Sequence, residues 1–245
     1  MYWKFNKRDS FIVLLILFTF LSLFFIAPIP QDLNYHNFAD SRALFGINNF
    51  LDVFSNLPFL LVGILGLHYT FKNWGITSSW SWLVFFVSIF FVALGSSYYH
   101  LNPENNTLTW DRLPMAIGFM ALFVIVVTDY VHQNLGKWLL LPMCLVGILS
   151  VIYWHITDDL RFYAWVQFVS MALLLIIIFV YKPNHLQPKY LIYAYIFYAL
   201  SKLTEYFDKQ IFEMIDQLVS GHTIKHLLAS IATFCFYILL KRRVN

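Results

Sequence analysis

The chain has 245 residues, of which 60% are hydrophobic, 20% aromatic and only 12% charged, with a net charge of +3. A soluble domain carries about 25% charged and about 45–50% apolar residues, so this composition leaves too little polar surface for a water-exposed globule. The basic residues are few and scattered, which argues against nucleic acid as a partner.

A membrane helix needs about 20 mostly apolar residues to cross a hydrocarbon core about 30 Å thick. In chain order, the stretches Phe11–Ile29, Phe54–Phe71, Trp80–Tyr99, Leu113–Tyr130, Trp138–Trp154, Phe162–Tyr181, Tyr190–Tyr206 and Ile224–Leu240 qualify. The first follows Lys4, Lys7 and Arg8, as the core of a secretory leader would. Its apolar run exceeds the usual ~7–15 residues, and Pro28 and Pro30 stand where cleavage would fall. Residues 1–30 are therefore expected to be a retained anchor helix, 31–53 an outer loop and 54–245 a core of seven helices. The expected fold is all-α, a multi-spanning membrane bundle. Cys144 and Cys235 lie inside apolar runs and read as small hydrophobes rather than a disulfide. No internal repeat or pair of broken helices suggests a transporter.

Basic residues mark the cytoplasmic side of membrane proteins. With the N-terminus inside, the inner segments hold Lys4, Lys7, Arg8, Lys72, Lys137, Lys182, Lys189, Lys241, Arg242 and Arg243, ten of the sixteen Lys and Arg residues. Both termini are expected in the cytoplasm. Trp80, Trp110, Trp138, Trp154 and Trp165 fall near span ends, where an aromatic belt belongs.

Ionisable residues within spans are costly and so point to function. The third span ends Ser96-Ser97-Tyr98-Tyr99-His100, with Ser96 and His100 four apart on one helical face. The fourth begins Trp110-Asp111-Arg112-Leu113-Pro114, and the eighth begins Gly221-His222-Thr223-Ile224-Lys225-His226. His222 and His226 also share a face. The orientation puts His100, Asp111, His222 and His226 at one depth, toward the outer leaflet. Three neutral imidazoles with an open fourth position describe a catalytic zinc site, whose water ionises near pH 7. Asp111 could shuttle the proton, and Ser96 could donate a hydrogen bond to a developing oxyanion. Each residue alone has a simpler explanation: His222-xxx-His226 is a weak motif, and Asp111 suits a helix N-terminus. Lys202 and Glu205, three apart in the seventh span, read as an ion pair that neutralises itself or as a polar wall; Asp208 could extend either.

At these residues the sequence resembles the alkaline ceramidase family, within a wider group of seven-helix membrane hydrolases that includes progestin and adiponectin receptors and Per1-like proteins. The matching pieces are Phe54-Ser55-Asn56-Leu57, Ser96-xxx-His100, Asp111-Arg112-Leu113-Pro114-Met115 and His222-xxx-His226, with eleven positions from His100 to Asp111. The run Gly221–Leu227 looks like the form in bacterial members. The resemblance covers roughly residues 35–240. It implies zinc held by His100, His222 and His226, assisted by Ser96 and Asp111. It implies a ceramidase-like core and cleavage of the N-acyl bond of a ceramide-like membrane lipid to a fatty acid and a long-chain base. It suggests a bacterial inner membrane, where the distribution of basic residues puts the site toward the outer side. Eukaryotic members carry an acidic calcium site before the first core helix; here Asp40, Asn49 and Asp52 could supply oxygen ligands, but His36 and Arg42 are poor company for Ca2+. A receptor or sensor that keeps the zinc structurally, or a hydrolase of another acylated lipid, would carry the same motifs. The oligomeric state is open.

Overall fold

Asn6 opens the first helix, α1 (Lys7–Ser22), by accepting hydrogen bonds from the Arg8 and Asp9 amides, while the Asp9 carboxylate accepts from the Asn6 amide. This reciprocal cap satisfies amides that a helix start leaves unpaired. The computed structural model describes residues 6–243; residues 1–5, which include Lys4, and residues 244–245 lie outside the described residues. A 3-10 turn carries α1 to Phe25. Most of its apolar side chains, such as Phe11, Leu14, Phe18 and Leu21, are exposed. The helix is pinned at both ends: Tyr181 Oη donates to Asp9 at 2.7 Å, and Trp165 Nε1 donates to Thr19 Oγ1 at 3.2 Å.

The chain then runs through α2 (Phe50–Phe54), α3 (Leu57–Lys72), α4 (Ser79–Leu101), α5 (Asn105–Tyr130), α6 (Leu135–Thr157) and α7 (Arg161–Ala164). A π-helical stretch, Trp165–Val169, joins α7 to α8 (Ser170–Val180), and α9 (Pro188–Tyr206), α10 (Asp208–Met214) and α11 (Gly221–Lys241) follow. Among the described residues there is no strand, only an isolated bridge between Leu44 and Ile47. Among the described residues, seven helical runs are long and apolar enough to cross a membrane: Lys7–Phe25, Phe50–Lys72, Ser79–Leu101, Asn105–Tyr130, Leu135–Thr157, Arg161–Val180 and Gly221–Lys241. The protein is an all-α, multi-pass membrane bundle. The one expected span not among these seven, Tyr190–Tyr206, corresponds to α9, which is 19 residues long and packs along α11. Lys189, Lys202 and Glu205 make it less apolar than the other seven.

Helix α5 is the axis of the bundle. Every residue from Met120 to Tyr130 is buried, as expected of a helix apolar all round and surrounded by others. It packs most closely on α4 and α6, while α3 packs on α4 and α9 on α11. The sequence places the start of this span at Leu113; the helix begins eight residues earlier, at Asn105. Glu104 and Thr107 form its cap, with Thr107 Oγ1 accepting from the Glu104 amide. The second expected span is interrupted rather than continuous, because Ser55 and Asn56 separate α2 from α3.

Two close approaches set the depth of the functional residues. Pro114 has no amide proton, so the Trp110 carbonyl one turn earlier loses its helical partner. That carbonyl faces Gly95, where an added Cβ would lie 2.1 Å from it. Gly95 thus lets α4 press against α5 beside Ser96 and Asp111. Gly221 does the same for α11, since its Cβ would meet the Thr204 carbonyl at 2.4 Å and Asp208 Cα at 2.7 Å.

Candidate metal centre

His100, His222 and His226 converge from α4 and α11 into one buried cluster. One ring nitrogen from each lies within 4.8 Å of the others, so together they could hold a metal ion. The ring centroids form a nearly equilateral triangle of 4.9, 4.9 and 4.8 Å. His222 Nε2 and His100 Nε2 are 3.3 Å apart. Two nitrogens bound tetrahedrally at about 2.0–2.1 Å stand roughly 3.3 Å apart, so this edge already fits such an ion. The donor set, three imidazoles with no thiolate, suits several borderline metals and does not choose among them.

The surroundings hold the His226 ring and the backbone at His100 and His222, while His100 Nδ1 is buried without a hydrogen-bond partner. Ser55 Oγ donates to the Asp52 carbonyl at 3.0 Å and is 2.7 Å from His226 Nδ1. With its proton committed, Ser55 accepts the Nδ1 proton, and the Nε2 lone pair of His226 is left for a metal. His100 is held through its backbone: Asn49, with φ 48°, donates its Nδ2 to the His100 carbonyl at 2.8 Å, near the end of α4. The His222 amide donates to Asp208 Oδ1 at 2.7 Å, and Ser220 Oγ caps Thr223. Asp208 therefore caps α11 and does not extend the Lys202–Glu205 pair.

Ser96 and Asp111 line one cavity together with His226 and Lys225. The cavity is narrow, about 110 Å³, and beyond this polar end its wall is almost wholly apolar. Its lining repeats at helical spacing, with Lys225, His226, Ala229, Ala232, Thr233 and Phe236 on α11. The eleven steps from Lys225 to Phe236, at 1.5 Å rise each, give a length of roughly 16 Å. The opposite end is walled by Phe85 and Phe236, whose rings meet edge to face at 5.3 Å.

The segment from Asp32 to Arg42 roofs the cluster. The Phe38 ring lies 4.6 Å from His100 and 4.5 Å from His222, centroid to centroid. The roof is fastened by the Ala39 amide on Asp208 Oδ2 at 2.9 Å and by His36, which reaches Tyr99 Oη at 2.9 Å and Asn105 Oδ1 at 3.0 Å.

The three residues considered for calcium all have protein partners. Asp40 is gripped by Arg42 through Nε and Nη2, both at 2.7 Å. Burial raises the Asp40 pKa, but these bonds prevail and hold its carboxyl below the usual range. Asn49 supports His100, and Asp52 Oδ1 accepts from Thr223 Oγ1 at 2.6 Å while Oδ2 is buried without a partner. Cys144 and Cys235 are free thiols.

Sequence reasoning missed three contributors. Phe38 lies in a segment without helical periodicity. Ser55 belongs to a noted motif but carried no assigned role. Lys225 is three residues after His222, a spacing that puts it on the same face. It joins the Lys202–Glu205 pair: Glu205 takes Lys202 Nζ at 2.7 Å and Lys225 Nζ at 2.8 Å.

Compared with known proteins, the chain matches no family model, and no curated protein is similar enough in sequence to count as a relative.

Proposed function

We propose that this protein is a zinc-dependent intramembrane hydrolase that cleaves the N-acyl bond of ceramide-type lipids. The observation that carries the reading is the three-histidine cluster, one member of which, His226, lines the polar end of an apolar cavity inside a membrane bundle. An apolar cavity about 16 Å long suits one hydrocarbon chain, and it brings the first polar group of that chain to His226. The resemblance to alkaline ceramidases supports an amide as that group. The bias of basic residues supports cytoplasmic termini, and it turns the site toward the outer face of a bacterial inner membrane.

The chain's own residues then have distinct tasks. His100, His222 and His226 would hold zinc, which supplies an activated water at neutral pH. The cavity aligns the acyl chain, and Phe38 keeps bulk water off the opposite side of the cluster. Ser96 donates to the amide carbonyl oxygen as charge grows on it. Asp111 accepts a proton from the attacking water and passes it to the amide nitrogen as the C–N bond breaks, so the acid and the amine leave in balance.

The test is a panel of labelled lipids, neutral N-acyl amides beside phospholipid esters, incubated with the purified protein with and without chelator. The reading expects chelator-sensitive release of fatty acid from ceramide. Ester cleavage alone would move the substrate class. Bound zinc with no lipid cleavage would make the chain a sensor.

A further inference from the structure

The other end of the bundle carries a second cavity, of opposite character. It lies where the α3–α4 loop, the loop before α9 and the end of α11 meet, and measures about 410 Å³. From His222 to Lys241, at 1.5 Å rise per residue, α11 runs roughly 28 Å, so this cavity and the metal centre sit at opposite membrane faces. Its face is the one that the bias of basic residues assigns to the cytoplasm. The wall is mostly polar and includes Tyr69, Asn73, Thr77, His185, Lys241 and Arg243; among the described residues no carboxylate lines it. Arg243 Nη1 donates to the Thr77 carbonyl at 2.7 Å, which ties the end of α11 to the α3–α4 loop. Its other donors meet no protein acceptor among the described residues. Lys241 rests over the Tyr237 ring at 5.4 Å. Neither cation has a carboxylate within ion-pair distance among the described residues. The carboxylate that acts on Arg243, Asp129, already accepts from the amides of Asn184, His185 and Leu186 at 3.2, 3.1 and 3.0 Å. Two cations without an ion pair thus share one polar cavity, and the donors left on the Arg243 guanidinium fit the oxygens of a phosphate.

The rim decides what carries that phosphate. The α3–α4 loop lines the cavity with Asn73 and Thr77 and exposes Trp74 beside the equally exposed Phe71 and Trp80. Trp74 lies nearly parallel to Phe71 at 6.2 Å and meets Trp80 edge to face at 5.0 Å. Exposed aromatic rings at span ends mark headgroup depth, and a basic pocket between helices at that depth suits an anionic lipid headgroup. We propose that Lys241 and Arg243 form a binding site for the phosphate of an anionic phospholipid on the face opposite the metal centre. The site stands apart from the hydrolase reading and uses none of its residues. Free phosphate would offer the same oxygens without the chains, and the two sources are separated by experiment.

The full-length protein, purified in detergent and stripped of lipid, is titrated with dioleoyl phosphatidylglycerol, with dioleoylglycerol and with inorganic phosphate, beside its melting temperature and metal content. The wild type should bind phosphatidylglycerol saturably and in preference to dioleoylglycerol, and inorganic phosphate more weakly. Arg243→Gln should lose about tenfold of that preference and Lys241→Gln about fivefold, both with unchanged metal content. Lys241→Gln keeps the Arg243–Thr77 bond, so it decides the case if Arg243→Gln melts below the wild type without lipid. Lys137→Gln removes an equal charge from the same face outside the cavity lining and should keep the preference. Equal binding of the two lipids, an equal loss in Lys137→Gln, or full preference in both cavity variants overturns the site. Inorganic phosphate bound as tightly as phosphatidylglycerol, and released by Arg243→Gln, overturns the lipid as the source of the phosphate.

Discussion

Ser55 shows how much of a metal site is decided one bond away from the ligands. Its hydroxyl spends its proton on the Asp52 carbonyl and so can only accept from His226 Nδ1. Removal of such an outer partner typically costs 10–100-fold in metal affinity. Ser55→Ala is expected to weaken metal binding by about that factor with little change in thermal stability, measured by metal titration beside a melting curve. The three histidines were legible in the sequence because His222 and His226 repeat at a helical interval and His100 falls at a matching depth. Lys225 was not, since a lone lysine near a span end reads as a solvated charge, and only the fold brings Glu205 to it. The oxygen ligands considered for calcium were plausible by residue type, but Asp40 lies two residues from Arg42, and that guanidinium claims it.

At the scale of helices, the site depends on how closely α4 and α5 approach. The bare Trp110 carbonyl left by Pro114 occupies the space above Gly95. Gly95→Ala must push the two helices apart, an overpacking change that typically costs 1–3 kcal/mol. It is expected to lower the melting temperature and to separate Ser96 from Asp111, so that activity falls more than metal content. Most span positions were readable from apolar run length alone. The early start of α5 was not, because hydropathy cannot tell polar residues that face a protein interior, such as Asp111 and Arg112, from a loop. The link between α6 and α7 offers a test by pH. Arg161 grips Asp159 through Nε and through Nη2 at 2.6 Å, and also donates from Nη1 to the Leu23 carbonyl at 2.8 Å and to that of Ile26. These hydrogen bonds hold the Asp159 carboxyl well below the usual carboxylate range. A depressed folded pKa stabilises fully above the unfolded value, about 3.9, and the benefit fades as pH falls toward the folded one. Asp159→Asn is therefore expected to melt below the wild type at pH 7, and the gap should narrow below about pH 4.

The whole molecule closes one side of the cluster and opens the other. On the first side, Phe38 and the Asp32–Arg42 segment lie over His100 and His222, tied down through Asp208 and Tyr99. On the second, residues of α3, α4, α5, α8, α9 and α11 line an apolar cavity that reaches the cluster at His226. That arrangement is what makes a membrane lipid the natural guest. The most direct measurement is the metal content of the detergent-purified chain and of its His222→Ala variant, each assayed for ceramide cleavage in the same preparation. The account expects about one zinc per wild-type chain, and loss of both zinc and fatty-acid release in the variant. A folded His222→Ala protein that still cleaves ceramide without zinc would contradict it.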